Sequence, residues 1–234
     1  MATTSSASSL PIAITMGDPA GVGPEILART LLDGDKDGDA RGKKTASEHT
    51  RWILVGAQWA LNKGAATLSR ALPPLHHIAA PDEAIPGWNL LDLGIPEPED
   101  FRLGQVQAAC GELAVQAVEW AAKRCLSGEL AAMVTAPINK EAIHAAGYVN
   151  DIGHQEILAR LAGVSQTATM LMTPGLRVVH LSTHKSLAKA VEFVTAEQVL
   201  GKLHLIHDTL TQWGLVQPRI AVAALNPHGG EGGL

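Results

Sequence analysis

The chain has 234 residues, 46% of them hydrophobic but only 3% aromatic, and a formal net charge of −5. That length allows one large or two small domains, with a core filled by Ala, Leu, Val and Ile rather than by rings. The negative balance argues against nucleic acid or an anionic membrane as the main partner, because phosphate contacts need a basic face.

In chain order, residues 1–10 read as a loose tail, with neither the basic nor the apolar region of a signal peptide. Residues 11–16, PIAITM, read as a short apolar strand. The turn Gly17-Asp18-Pro19-Ala20-Gly21-Val22-Gly23 follows, and Pro24 suits the first turn of a helix running to about residue 32. This strand, glycine turn and helix resemble an anion site, yet lack both the dinucleotide fingerprint and the Lys-Ser/Thr of a phosphate-binding P-loop. Residues 33–50 are polar and read as a surface loop. Strands are expected at 52–56, 75–80 and 89–93, with a helix at 57–70 in which Gly64 is a weak point.

The longest helix is expected over 105–126, with Gly128 ending it. Cys110 and Cys125 both fall inside it. At about 1.5 Å per residue they stand roughly 22 Å apart and cannot pair, so they read as thiols of a reducing cytoplasm. A strand at 131–135 comes next, then a helix from His154 to about 161, strands at 167–172 and 177–181, and helices at 188–195 and 196–213. The apolar run 220–225 reads as a fully buried strand that empties into a loop carrying His228, Glu231 and several glycines. No apolar run approaches the roughly 18 residues of a membrane span. The alternation of strands and helices predicts an α/β fold with mostly parallel sheets and helices on both faces, dividing into domains 1–133 and 134–234.

Ligands of such sheets bind at the carboxyl ends of strands. The candidates there are Thr135, Asn139 and Lys140 after one strand and Asp18 after another, with His154 at a helix N-terminus that would favour a bound anion. Lys140 and Asp18 are the candidate catalytic groups for an anionic substrate. His184 and His228 each follow a strand; they suit a divalent metal, which usually takes three protein ligands in a catalytic site, or equally a general base and its partner. Glu156 and Glu231 are candidates to support them. His76, His77, His204 and His207 read as structural.

The segments ITMGDPAGVGPEI (14–26), VTAPINKEAIHAAG (134–147), GHQEILA (153–159), VVHLSTHKSL (178–187) and RIAVAALNPHGGEGG (219–233) resemble, in order and spacing, the 4-hydroxythreonine-4-phosphate dehydrogenase family. The resemblance implies an isocitrate/isopropylmalate dehydrogenase-like fold of two α/β/α domains and a homodimer with its active site at the interface. It implies oxidation of a phosphorylated hydroxy acid with NAD or NADP, with a divalent metal (Zn, Mg, Mn or Co), followed by loss of CO2. His184 and His228 match two metal-binding histidines of the family. The third lies in a later Tyr-His-Asp-Gln motif absent from this chain, as is the family's C-terminal third. His154 matches the substrate-binding histidine. Gln155 stands where the family commonly has Thr, which brings D-threonate or D-erythronate 4-phosphate beside 4-phosphohydroxy-L-threonine as a candidate substrate; an inactive fragment is the other alternative.

Overall fold

The computed structural model describes residues 10–33 and 50–232; the tail and most of the polar stretch 33–50 lie outside them. The chain divides into two compact units, Met1–Ser165 and Gln166–Leu234.

The first unit is built on β1 (Ile12–Thr15), α1 (Gly23–Asp33), β2 (Arg51–Gly56), α2 (Gln58–Thr67), β3 (His76–His77), β4 (Gly87–Asp92), α3 (Ala108–Ser127), β5 (Ala132–Thr135), α4 (Lys140–Ala145) and α5 (His154–Ala162). Its five strands lie in the order β3-β4-β2-β1-β5, and every neighbouring pair is parallel. The expected α/β class is therefore observed. Thr15 pairs with Val55 on one side and Thr135 on the other. Side chains alternate across the sheet: Met16 packs with Leu27, Leu31, Leu54 and Leu61 of the α1–α2 face, whereas Ala13 joins Ile53, Val55, Ala117 and Ala121 under α3. A smaller cluster of Val115, Val118, Ile143 and Ile157 anchors α4 and α5 on α3.

Two glycines let helices come close. A Cβ on Gly64 would lie 2.3 Å from the Pro24 carbonyl carbon, and one on Gly111 would lie 2.1 Å from the Ala142 oxygen. Gly64 is thus a packing requirement of α1 on α2, where sequence alone reads it as a weak point. Gly128 ends α3 in the left-handed conformation, at φ 80°, as expected of a C-terminal glycine.

The expected boundary at 133/134 falls inside β5. The first unit continues past it because β5 pairs with β1 and α4 and α5 pack on α3.

The second unit carries the antiparallel hairpin β6 (Met170–Thr173) and β7 (Leu176–Val179), closed through Gly175 at φ 81°. α6 (Leu187–Phe193) and α7 (Ala196–Gln212) follow. Both start at side-chain caps: Ser186 accepts from Lys189 N–H and Thr195 from Gln198 N–H. The expectation of a buried strand at 220–225 is corrected. Those residues form no strand, and Val222 and Leu225 are 60% and 58% exposed. An apolar run supplies strand propensity, but a strand exists only with a ladder partner, and among the described residues none pairs with it.

Candidate active site

The sheet order places a switch point between β1 and β5. From β1 the chain moves to β2 on one side, and it later crosses back from β4 to β5 on the other. In open parallel sheets the crevice outside the carboxyl ends of two such strands is where ligands bind.

On the β1 side, residues 16–20 are buried although they form a turn. A buried turn must satisfy its own backbone. Asp18 N–H donates to the Pro137 carbonyl at 3.0 Å, Gly21 N–H to the Asp18 carbonyl, and Gly104 N–H to the Ala20 carbonyl at 2.8 Å. The Asp18 carboxylate accepts from Ala20 N–H at 2.8 Å. Burial raises the Asp18 pKa, and the Ala20 hydrogen bond partly offsets this. Cys110, in the first turn of α3, lies close enough that burial together with the Asp18 charge pushes its thiol up to about 11. Asp18 is therefore a buried carboxyl held within the turn after β1.

On the β5 side, the loop 136–139 leads into α4. Asn139 is spent in part as a helix cap: its Oδ1 accepts from Glu141 N–H at 2.9 Å and Ala142 N–H at 3.3 Å. Lys140 begins the helix and is exposed, and Thr135 is half-buried. His154 opens α5 after the extended Gly153. Burial lowers its pKa, against the effect of a hydrogen bond from the ring to the Ala136 backbone. Its Nε2 is buried with no partner, an acceptor or donor left over for a ligand. Gln155 and Glu156 are half-buried beside it.

The structure thus brings Asp18 and His154 to one loop, through Pro137 and Ala136. Sequence reading picked out this loop for Asn139 and Lys140 but not for Ala136 and Pro137, whose contribution is backbone and carries no residue-type signal. A separate open cleft of about 630 Å³ runs along α2 and residues 70–75. None of the candidate site residues lines it, and its Arg70 is tied to Asp33 at 2.7 Å.

In the second unit, His184 and His228 are exposed and both adopt positive φ, 55° and 53°. His228 Nδ1 lies 2.9 Å from Glu231 Oε1. A carboxylate on one ring nitrogen orients the other outward, the usual support of a metal-binding histidine. The donors thus fit a divalent cation in kind. In number they fall short: among the described residues no three His, Cys, Asp or Glu side chains gather to hold a metal. The described residues contain no helix long and apolar enough to cross a membrane.

A parallel sheet with a switch point between β1 and β5 is the architecture in which many α/β enzymes place their ligands. The family described as pyridoxal phosphate biosynthetic protein PdxA matches residues 48–234, and the chain belongs to that family. It is 36% identical over 226 residues to a D-threonate 4-phosphate dehydrogenase of Pectobacterium atrosepticum, covering 95% of this chain and 66% of that protein. It is 37% identical over 228 residues to a 4-hydroxythreonine-4-phosphate dehydrogenase of Geobacter metallireducens, covering 95% and 63%. A crystal structure of 4-hydroxythreonine-4-phosphate dehydrogenase from Klebsiella pneumoniae superposes with a TM-score of 0.82 at 36% identity, covering 98% of this chain and 66% of that one. The chain spans about two thirds of the length of these relatives.

Proposed function

We propose that the chain acts in the NAD(P)-dependent oxidation of the secondary hydroxyl of a 4-phosphorylated hydroxy acid. The observation that carries the reading is His154, whose buried Nε2 faces no protein partner at the β1–β5 switch of a family whose relatives bear these dehydrogenase names. His154 and Gln155 hold the substrate, Thr135 and Asn139 line the crevice, and Lys140 supplies positive charge for a phosphate or carboxylate. Lowered basicity keeps His154 neutral near pH 7, so it recognises by hydrogen bonding rather than by charge. Asp18 acts by setting the turn.

A bound nicotinamide would supply the redox chemistry. His184 and His228, with Glu231 orienting the latter, are the residues that would hold a divalent metal, which would supply Lewis acidity. The β-keto acid formed from 4-phosphohydroxy-L-threonine then loses CO2, a step toward pyridoxal phosphate. The working form is a cytoplasmic homodimer.

The second reading is oxidation of D-threonate or D-erythronate 4-phosphate in sugar-acid breakdown. It is favoured by Gln155 and by relatives bearing the D-threonate name at the same level of identity as those bearing the other. The deciding experiment follows nicotinamide reduction by the purified chain with each substrate, with NAD and with NADP, with and without divalent metal. Reduction with one substrate identifies it. A folded chain that reduces neither cofactor with any of them defeats both readings and leaves an inactive fragment.

A further inference from the structure

Arg160 lies on α5, six positions after His154, and turns back toward the segment that feeds the helix. Its Nη2 donates to Asp151 Oδ2 at 2.8 Å and its Nε to Oδ1 at 3.4 Å. The same Nη2 donates to Glu119 Oε1 of α3 at 3.0 Å, and Lys123 Nζ donates to Glu119 Oε2 at 3.0 Å. Asp151 is buried, whereas Arg160 and Lys123 stay largely in solvent. Hydrogen bonds to Asp151, then to Glu119, push the Arg160 pKa up.

Asp151 precedes His154 by three positions. Between them Gly153 is extended, and its carbonyl accepts the first helical N–H, from Ile157 at 3.3 Å. Ile157 is fully buried against Val115 and Val118 of α3. The entry of α5 is therefore held at two points: an apolar one below, at Ile157, and a charged one to the side, at Asp151. The apolar anchor fixes where the helix sits. It leaves the direction of the incoming chain open, and that direction decides where the first helical side chain points. A guanidinium gripping a carboxylate with two N–H groups restrains direction as well as distance.

We propose that Asp151, Arg160 and Glu119 form a positioning device for His154, clamping residues 151–153 so that the imidazole is held against the Ala136 carbonyl with Nε2 presented to the crevice. The proposal deepens the functional reading above and rests on His154 as the substrate-binding histidine.

The test reads His154 directly. Its ring resonances are assigned with a His154→Asn variant and titrated by NMR in the parent chain, in Asp151→Asn, in Arg160→Met and in Arg160→Lys. Asp151→Asn and Arg160→Met are expected to move the His154 titration upward, toward that of an ordinary histidine, as the ring leaves its seat. Arg160→Lys, which keeps the charge but loses the fork, falls between them and the parent. In turnover, the first two variants raise KM for the phosphorylated hydroxy acid about tenfold while kcat stays within about twofold, the pattern of lost uniform binding. If the buried Asp151→Asn fails to fold, Glu119→Gln removes the far anchor and is read the same way. An unchanged His154 titration in folded Arg160→Met and Glu119→Gln overturns the proposal. A shifted titration in a chain that turns over neither substrate upholds the clamp and defeats the dehydrogenase reading instead.

Discussion

The Asp18 N–H and the Pro137 carbonyl, 3.0 Å apart, join the turn after β1 to the loop after β5. The residue before Asp18 is Gly17, at φ 72°, and the residue before Pro137 is Ala136, whose backbone bonds the His154 ring. One hydrogen bond thus links the buried turn to the loop on which the candidate ligand-binding histidine rests.

Gly17→Ala breaks this link. The new Cβ would lie 2.3 Å from the Pro137 oxygen, at a positive φ that side chains resist. Backbone strain of this kind costs about 1–3 kcal/mol, and the contact with backbone adds to it. A drop of at least about 2 kcal/mol in urea-unfolding stability is expected. A change below about 0.5 kcal/mol would show that the two loops are not held together as described.

Asp18 titrates in a particular direction. Its folded pKa is raised by burial, so between the ordinary value near 3.8 and the raised one the folded chain keeps a proton that the unfolded chain has released. Stability attributable to Asp18 therefore falls as pH rises through that window and remains lower above it. Asp18→Asn retains an acceptor for Ala20 N–H and removes the titration. The variant is expected to show a flatter stability profile than the parent from about pH 4 upward, and to be at least as stable near pH 7. Urea midpoints of the two proteins across that range check this; parallel profiles count against a raised Asp18.

Glycine-to-alanine changes should split by cause. Alanine improves intrinsic helix propensity by about 1 kcal/mol over glycine. Gly64→Ala and Gly111→Ala should nevertheless destabilise, by about 1–3 kcal/mol, because their Cβ atoms would meet Pro24 and Ala142 backbone. Gly128→Ala has open space but a φ of 80°, and should cost only about 1 kcal/mol. Thermal or urea melts of the three variants settle the order; a stabilised Gly64→Ala would mean α1 and α2 do not approach as closely as described.

The two thiols should resist alkylation in the folded chain. Cys110 is buried and its pKa, raised by burial and then by Asp18, is about 11. At pH 8 roughly one part in a thousand is thiolate, the reactive form. Burial also raises Cys125, and neither forms a disulfide. Thiol titration should be slow in buffer and rapid in urea, with Cys110→Ser removing the slower of the two. Fast labelling of Cys110 in the native chain would contradict its burial.

Much of this molecule was legible from local pattern. The β1 strand, the turn around Asp18, the stop at Gly128 and the start of α5 at His154 each depend on neighbours a few positions away, through capping, glycine conformation and hydrophobic period. The family resemblance rested on those same local segments. What lay beyond sequence was pairing and burial. The order β4-β2-β1-β5 makes a switch point between strands separated by more than a hundred residues, and only that juxtaposition brings Asp18 to Pro137 and His154 to Ala136. The same reasoning explains Gly64, whose value lies in contact with α1, and 220–225, whose apolar residues have the propensity of a strand but no described partner. Propensity belongs to a segment and can be read along the chain. A ladder, a buried carboxyl or a tie such as Glu119–Arg160 exists only where distant segments meet, and that was decided by the tertiary structure.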